Sequence, residues 1–458
     1  MQDTISDNNI VLRNAAGQIT GGLRGNPALL AEQIDSTDLQ WFFQNSQLNL
    51  AMTLFHSEAR DLISRQRAAD RVIDFDIYAP LPPGTDLHVF WHDLIKTAPH
   101  KLMWTPHNEG HWISLSGEVS DIVMSESDRF SNRTVLVPKE TAGEAYRLIP
   151  LSLDPPEHRP FRYLLNENLS PKAIKGLDEE IIALTAELIE GFKPKGRCNF
   201  IHDFAEQLPV QMFMRVVNLP IEDLPKLKHL ADQFTRPDGS MTYPEVIAEF
   251  RAYINPVITK RRGAGAMDMI SRMVSSKIDD RDLTDEEAEN ICIQVLVGGL
   301  DTVVNLMGFV MSYLGKDAEL RRAIAADPEM IDKALLEFFR RFPVVSSSRE
   351  VLRDIEFEGV QLKAGDMVMA STIPVAMDEA MNADPLTFSL DRTQRRHSTF
   401  GKGSHTCPGA PLARLELKIM LREWFARIPE FRLAEGSQIE FSSGIVGTVK
   451  PFVLEWGV

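Results

Sequence analysis

The run Phe400-Gly401-Lys402-Gly403-Ser404-His405-Thr406-Cys407-Pro408-Gly409 sets one cysteine among three glycines, just ahead of a segment with helical periodicity. Leu412, Leu415, Ile419 and Trp424 supply that periodicity, with Arg414, Lys418 and Arg422 between them. A thiol before a helix N-terminus meets unpaired N–H groups and partial positive charge, which favour the thiolate. Pro408 suits the first position of that helix. The glycines let backbone pass close to something large and flat, and His405 adds a polar donor two residues from the sulfur. Such a thiolate serves as a nucleophile, a zinc ligand or a haem ligand. Zinc needs further Cys or His at short spacing; only His405 and His397 are near, and the loop has no Cys-x-x-Cys. A nucleophile needs a distant His with Asn or Asp, which a chain of this size contains. That reading and a buried structural cysteine both stay open on residue types.

A second constellation, Gly298-Gly299-Leu300-Asp301-Thr302, interrupts an apolar segment running from Thr284 to Gly315. Thr284 and Glu287 are spaced as a capping box, with Asp285 and Glu286 in the favourable first turn. At about 1.5 Å per residue the segment forms a helix roughly 45 Å long, enough to cross a large domain. Two glycines weaken it and a carboxylate enters its apolar run, violations most credible at a working site. Gly298 lies one turn before Thr302, whose hydroxyl can bond back to the carbonyl at 298 and bend the helix. Further along, Glu337 and Arg340 stand three apart on one helix face, spaced for an ion pair.

The elements that must position these groups belong to a chain of 458 residues, ample for a sizeable core. Its net charge of −16 argues against nucleic-acid or anionic-membrane binding through bulk charge. Cys198, Cys292 and Cys407 form no disulfide framework and suit a reducing cytoplasm. Met1 to Gly25 lacks the basic and apolar regions of a signal peptide. The apolar run Ile291 to Leu314 is broken by Gln294, Asp301 and Asn305, as in a core helix rather than a membrane span. Residues 1–72 read as an extension, loose and Gly-rich at first and helical from Thr37 to Ile63, where Thr37 and Gln40 are spaced as a capping box. Residues 73–458 read as one domain: a small edge sheet around Gly110 to Leu115, amphipathic helices from 170 to 280, and strands at Ile355 to Leu362 and Asp366 to Ala370.

The pattern Phe-x-x-Gly-x-His-x-Cys-x-Gly at 400–409 resembles the haem-binding loop of the cytochromes P-450. From Asp74-Phe75-Asp76 onward that resemblance is continuous, over about five sixths of the chain. It implies a mainly α fold with small β-sheets, and haem b held between the long central helix and the Cys-loop helix. Cys407 is then the axial thiolate on iron, with Phe400 and Gly401 in the cofactor loop. Asp154-Pro155-Pro156-Glu157-His158-x-x-x-Arg162 resembles the start of the family's C helix, which assigns Arg162 to the haem propionates; Arg349 and His405 match two further propionate ligands. Gly298 to Thr302 resembles the oxygen-binding kink, implying that Thr302 holds a proton-donating water and Asp301 passes protons from solvent. Glu337, Arg340 and Arg392 resemble the Glu-x-x-Arg network that fixes the loop.

Gly-Glu-Ala-Tyr at 143–146, Arg-Pro-Asp-Gly-Ser-Met-Thr at 236–242, Leu-Val-Gly-Gly-Leu-Asp-Thr at 296–302 and Ser-Gly-Ile-Val at 443–446 are similar to the camphor-hydroxylating class of bacterial enzymes. Tyr146, Leu151, Gln294, Val297 and Gly298 fall at its substrate positions. A carboxylate is missing near Ser347, so the propionate shell differs; in the pocket, Leu151 replaces a threonine and Gln294 a leucine. The implied substrate is therefore a small alicyclic terpenoid or norisoprenoid, hydroxylated with O2. Electrons would come from a 2Fe-2S ferredoxin and its NADH-dependent reductase, docking on Arg159, Arg162, Arg395, Arg396, Lys402 and Arg414. A haem-thiolate sensor without turnover and a peroxide-driven peroxygenase are the alternatives, and neither has a use for the acid and alcohol at 301 and 302.

Overall fold

The structure, a computed structural model, describes residues 9–13, 19–24, 69–139, 147–265 and 268–457. The chain divides into two compact units, 1–69 and 70–458. In the first, Asn9–Arg13 pairs antiparallel with Ile19–Arg24, Asn9 opposite Arg24 and Leu12 opposite Gly21. The loose start expected there is thus a hairpin. Gly21 and Gly22, poor strand formers, hid it from the sequence. The helix expected from Thr37 to Ile63 lies outside the described residues.

In the second unit, helices dominate and the main sheet has five strands in the order Leu102–Thr105, His111–Ser114, Met367–Ser371, Ser346–Val351, Phe130–Ser131. All neighbours are antiparallel except His111–Ser114 with Met367–Ser371. The strand expected in a small edge sheet is therefore an inner one, buried at every position. The 170–280 region forms helices Leu177–Phe192, Leu208–Val217, Leu224–Thr235 and Tyr243–Arg261, ended where Gly196, Asn218 and Arg236-Pro237 leave helical geometry.

Thr284 caps the central helix as its spacing predicts, with both capping-box bonds made at 3.1 and 2.8 Å. The helix runs Asp285–Gly299, breaks at Leu300-Asp301 and resumes at Thr302–Lys316. Asp285–Lys316 is long and apolar enough to cross a membrane by composition, yet 78% of its most apolar window is buried in the protein. It is a core helix. The helix after Cys407 spans Ala410–Arg427 with Gly409 at its N-cap and Pro411 in the first turn. Pro408 therefore precedes the cap instead of opening the helix. Trp424 anchors this helix in an aromatic cluster, 5.8, 5.5 and 5.6 Å from Phe192, Phe200 and Phe204.

Glu337 is fully buried and accepts from Arg340 at 2.8 Å and Arg392 at 3.0 Å, as its spacing suggests. Arg395, expected on the surface, also pairs with it at 3.3 Å and is half-buried. A buried carboxylate recruits every cation in reach, since leaving such a charge unpaired costs about 3–5 kcal/mol. The arginines also donate to the carbonyls of Ala383, Pro385 and Thr387, tying down the stretch that leads to the cysteine loop.

Glu416, on the Ala410–Arg427 helix, is buried with no offsetting cation, and burial pushes its carboxyl up to about 8 from the ordinary 4.5. Between those values the unfolded chain ionises while the folded one stays protonated, so the stability Glu416 contributes is full below pH 4.5 and lost as pH rises towards 8. Glu416→Gln should remove that slope and gain on the wild type across this window, on the order of a few kcal/mol by its upper end. Denaturant melts at several pH values measure it; parallel curves for the two proteins would mean that Glu416 does not resist ionisation.

Candidate functional site

The loop is closed by its own backbone. Gly401 N–H donates to Ser398 O at 2.7 Å and Cys407 N–H to Phe400 O at 2.6 Å. Gly401 and Gly403 have φ of 72° and 69°, and a Cβ at 403 would stand 2.9 Å from Ser125 Cα. Only glycine fits there. The Gly117–Ser125 helix pins the loop through Asp121, which accepts from Ser398 Oγ at 2.7 Å and pairs with Lys402. Phe400 packs 5.1 Å from Phe339, with the Arg414 guanidinium over both rings.

Cys407 keeps accessible surface within this dense setting, and a Cβ at Gly409 would lie 3.7 Å from its Sγ. Burial is the larger influence and pushes the thiol up. N–H groups of Gly409 and Ala410 and the Arg162 charge pull the other way without overcoming it. A thiolate here needs one more positive charge, and a metal at the sulfur supplies it.

Around the loop gather four groups able to donate, three of which keep a buried nitrogen without a partner. Arg162 donates to Thr406 O and, at 2.9 Å, to Asn166 Oδ1. Arg349 is buried in the Ser346–Val351 strand; Nη1 reaches Ser347 Oγ at 3.0 Å and Ser348 O at 2.8 Å, while Nε has no partner. Burial lowers its pKa to about 10. His158 and His405 stand ring to ring at 4.3 Å, each with a buried, unpartnered Nε2. Burial, then neighbouring His158, Arg349 and Arg162, takes His405 down to about 3; burial and Arg162 take His158 to about 4. Buried nitrogens left unpaired are costly, so His158, His405 and Arg349, with the Arg162 charge beside them, fit a ligand carrying carboxylates. The residues present thus fit the haem that the resemblance implies, its metal at the sulfur and its acidic groups at these nitrogens. His158 is the member the sequence left unassigned, although its place four residues before Arg162 puts both on one helix face.

On the central helix, Thr302 Oγ1 donates to Gly298 O at 3.3 Å, the bond that its spacing predicts. The two glycines do different work. A Cβ at Gly299 would lie 2.3 Å from the Phe213 ring, whereas at Gly298 it would meet only Gln294 Nε2 at 3.8 Å. Gly298 is exposed although the residues before it are buried, so this face of the helix borders accessible space. Val297 is buried, Gln294 and Leu151 are partly buried, and Tyr146 lies outside the described residues.

Asp301 faces away from that space, into a cation cluster. Its oxygens meet Arg236 at 2.6 and 2.9 Å, Lys228 at 3.3 Å and Asn305 Nδ2 at 3.0 Å. Burial works against the carboxylate, but Arg236 and then Lys228 outweigh it and hold the pKa below the ordinary 3.8. Sequence spacing gave no hint of these partners, 65 and 73 residues away. Of the expected basic face, Arg159, Arg396 and Arg414 are exposed, and Lys402 is exposed but paired. A groove of about 690 Å³, lined by Ile95, Leu115, Asp121, Met381 and Lys402 among others, meets the loop at Lys402 alone.

Residues 210–442 match the family model described as Cytochrome P450. "Probable cytochrome P450 127A1" of Sinorhizobium fredii is 32% identical over 383 residues, covering 82% of this chain and 92% of its own. "Mycinamicin IV hydroxylase/epoxidase" of Micromonospora griseorubida is 29% identical, covering 80% and 95%. Among solved structures, that of CYP101J2 is 66% identical with a TM-score of 0.80, and that of CYP101C1 is 34% identical with 0.78. Each covers 85% of this chain and 98% of its own.

The two glycines should separate in mutation. Gly299→Ala must displace the Phe213 ring, an overpacking that costs about 1–3 kcal/mol. Gly298→Ala should fold as well or slightly better, by about 0.5–1 kcal/mol, since alanine favours helix and meets open space. Thermal melts of both variants check this, and equal losses would mean that Gly298 is packed like its neighbour.

Proposed function

Because the chain belongs to the cytochrome P450 family, whose members are monooxygenases with cysteine-ligated haem iron, we propose that Cys407 is the axial ligand and Thr302 and Asp301 serve oxygen activation. We read the substrate as a small alicyclic terpenoid or norisoprenoid and the electron donor as a 2Fe-2S ferredoxin served by an NADH-dependent reductase, in the cytoplasm. One observation carries the cofactor assignment: an exposed Cys407 on a loop ringed by unpartnered His158 Nε2, His405 Nε2 and Arg349 Nε.

Bound haem supplies the oxygen-activating redox chemistry, and the protein supplies position, protons and exclusion of water. Arg162, Arg349, His158 and His405 would hold its carboxylates. The Thr302 hydroxyl, bonded to the Gly298 carbonyl, is placed at the opened face of the helix to hold a water and deliver a proton. Asp301 is the relay behind it. Both its oxygens are engaged by Arg236, so each proton passed requires one of these bonds to open. Arg236 and Lys228 are 20% and 15% exposed, which puts the far side of the cluster in reach of solvent. Exposed Arg159, Arg396 and Arg414 offer an acidic ferredoxin a complementary face near the sulfur.

The reduced carbon monoxide complex of the wild type should show the red-shifted Soret band of thiolate ligation, and Cys407→His should lose it. A histidine-type spectrum in the wild type overturns the assignment of the ligand.

With ferredoxin, reductase and NADH, Thr302→Ala should still bind substrate but release several-fold more peroxide per NADH consumed, because the proton-donating water is no longer held. Product yield per NADH equal to the wild type would remove Thr302 from the chemistry.

A further inference from the structure

The helix His158–Leu169 turns Phe161, Leu164 and Leu165 into the core and leaves its other side in solvent. On that outer side Tyr163 is 61% exposed, more than any other large apolar side chain among the described residues. The inner face packs without it, so its ring is apolar area that the fold does not use. Tyrosine and arginine are among the residue types that carry most of the binding energy at protein interfaces. Arg162, its neighbour in the chain, donates to the carbonyl of Thr406, one residue before Cys407, which places this helix against the cysteine loop. Arg159, Tyr163 and Glu167 follow at intervals of four, so a cation, a ring and a carboxylate stand in a row along about 12 Å of one helix face. All three are exposed. The Tyr163 hydroxyl donates to the Glu167 carboxylate, which draws the ring along the row and away from Arg159.

We propose that this row is a recognition stripe for the electron donor: Tyr163 is the apolar anchor of the ferredoxin interface, Arg159 draws a carboxylate of the partner to one end of it, and Glu167 repels carboxylates from the other. This deepens the ferredoxin reading above and rests on it for the identity of the partner. Exposed Arg159, Arg396 and Arg414 attract an acidic surface but do not say which way round it lies. The ring and Glu167 supply that direction, because a partner turned end for end would set its carboxylates against Glu167 and leave Arg159 unmatched. The ferredoxin that fits therefore carries an apolar side chain beside a carboxylate, with no second carboxylate on the far side of it. Net charge alone does not distinguish such a ferredoxin from a uniformly acidic one, and the stripe does.

The test measures the dissociation constant between the haem-loaded enzyme and the 2Fe-2S ferredoxin that serves the camphor-hydroxylating class, by calorimetry at about 50 and about 300 mM salt. Tyr163→Ala should weaken binding about tenfold at both salt concentrations, because an apolar contact is not screened. Arg159→Gln should weaken binding at the lower salt and approach the wild type at the higher, and Glu167→Gln should tighten it at the lower salt only. Tyr163→Phe, which keeps the ring and gives up the bond to Glu167, should stay within about threefold of the wild type. Each of these side chains is exposed, so every variant should keep the thiolate Soret band and the melting temperature of the wild type, which separates lost recognition from a lost fold. A loss below about threefold in Tyr163→Ala, or a Tyr163→Phe as weak as Tyr163→Ala, overturns the inference while the ferredoxin reading stands on the wild-type affinity. A wild type that does not bind this ferredoxin, or that prefers a flavodoxin, overturns that reading and the inference with it.

Discussion

A sulfur that must carry negative charge in surroundings that favour the thiol sets the terms for the rest of this structure. Burial alone holds the Cys407 thiol protonated, and the local helps, two N–H groups and one arginine, do not reverse it. The protein is therefore half of an electrostatic device whose other half is the metal. Holding that half-device ready requires a loop that does not relax around the sulfur. Its own backbone bonds close it, and two groups outside hold it in place: Asp121 grips it at Ser398 and Lys402, while Glu337 and its arginines fix the chain ahead of it. The buried Glu337 cluster is thus a positioning element whose effect on chemistry runs through the geometry of Cys407.

The same logic of buried charge explains why Asp301 tolerates the core. Two cations and an amide satisfy it; the cations sit on the Leu224–Thr235 helix and just beyond it, and the amide of Asn305 on the Thr302–Lys316 helix. Their hold keeps the carboxyl below its ordinary range, so in the proposed relay the step that matters is the opening of the ion pair rather than the acidity of the carboxyl. The bundle around the central helix consequently does more than pack: the Leu224–Thr235 helix brings Lys228 and Asp232 to the Asp301 cluster.

What could be read in the sequence was what is local. The Cys407 loop, the Thr284–Glu287 box, the Glu337–Arg340 pair and the Thr302–Gly298 bond all join residues within a few positions, and spacing on a helix or a tight loop determines them. Asp301 with Arg236, His158 with His405, and Arg395 with Glu337 join residues far apart, so no periodicity announces them. Arg395 and Lys402 looked like surface cations because sequence shows a charge but not the buried or nearby carboxylate that claims it. Pro408 misled for a different reason: proline is common at a first helical position, yet here the chain needs two more residues to bring N–H groups around to the sulfur before the helix begins.

The break in the central helix shows how function is accommodated by a fold that would otherwise exclude it. An uninterrupted apolar helix through the core would present side chains to the cofactor face and leave no room for oxygen or water. Gly298 removes the side chain, and Gly299 lets the opposite face close on Phe213 so that the opening is one-sided. The break at Leu300-Asp301 leaves the Gly298 carbonyl to the Thr302 hydroxyl, and the Asp301 carbonyl, which keeps its backbone bond from Asn305 N–H at 3.2 Å, also accepts from Asn305 Nδ2 at 3.0 Å. The residues that brace the break are thus Thr302, proposed for the chemistry, and Asn305, which holds Asp301. This economy explains why the segment can depart from helical preference in the middle of the core without unravelling: the disruption and its repair are made of the same side chains, so neither can be removed without exposing the other.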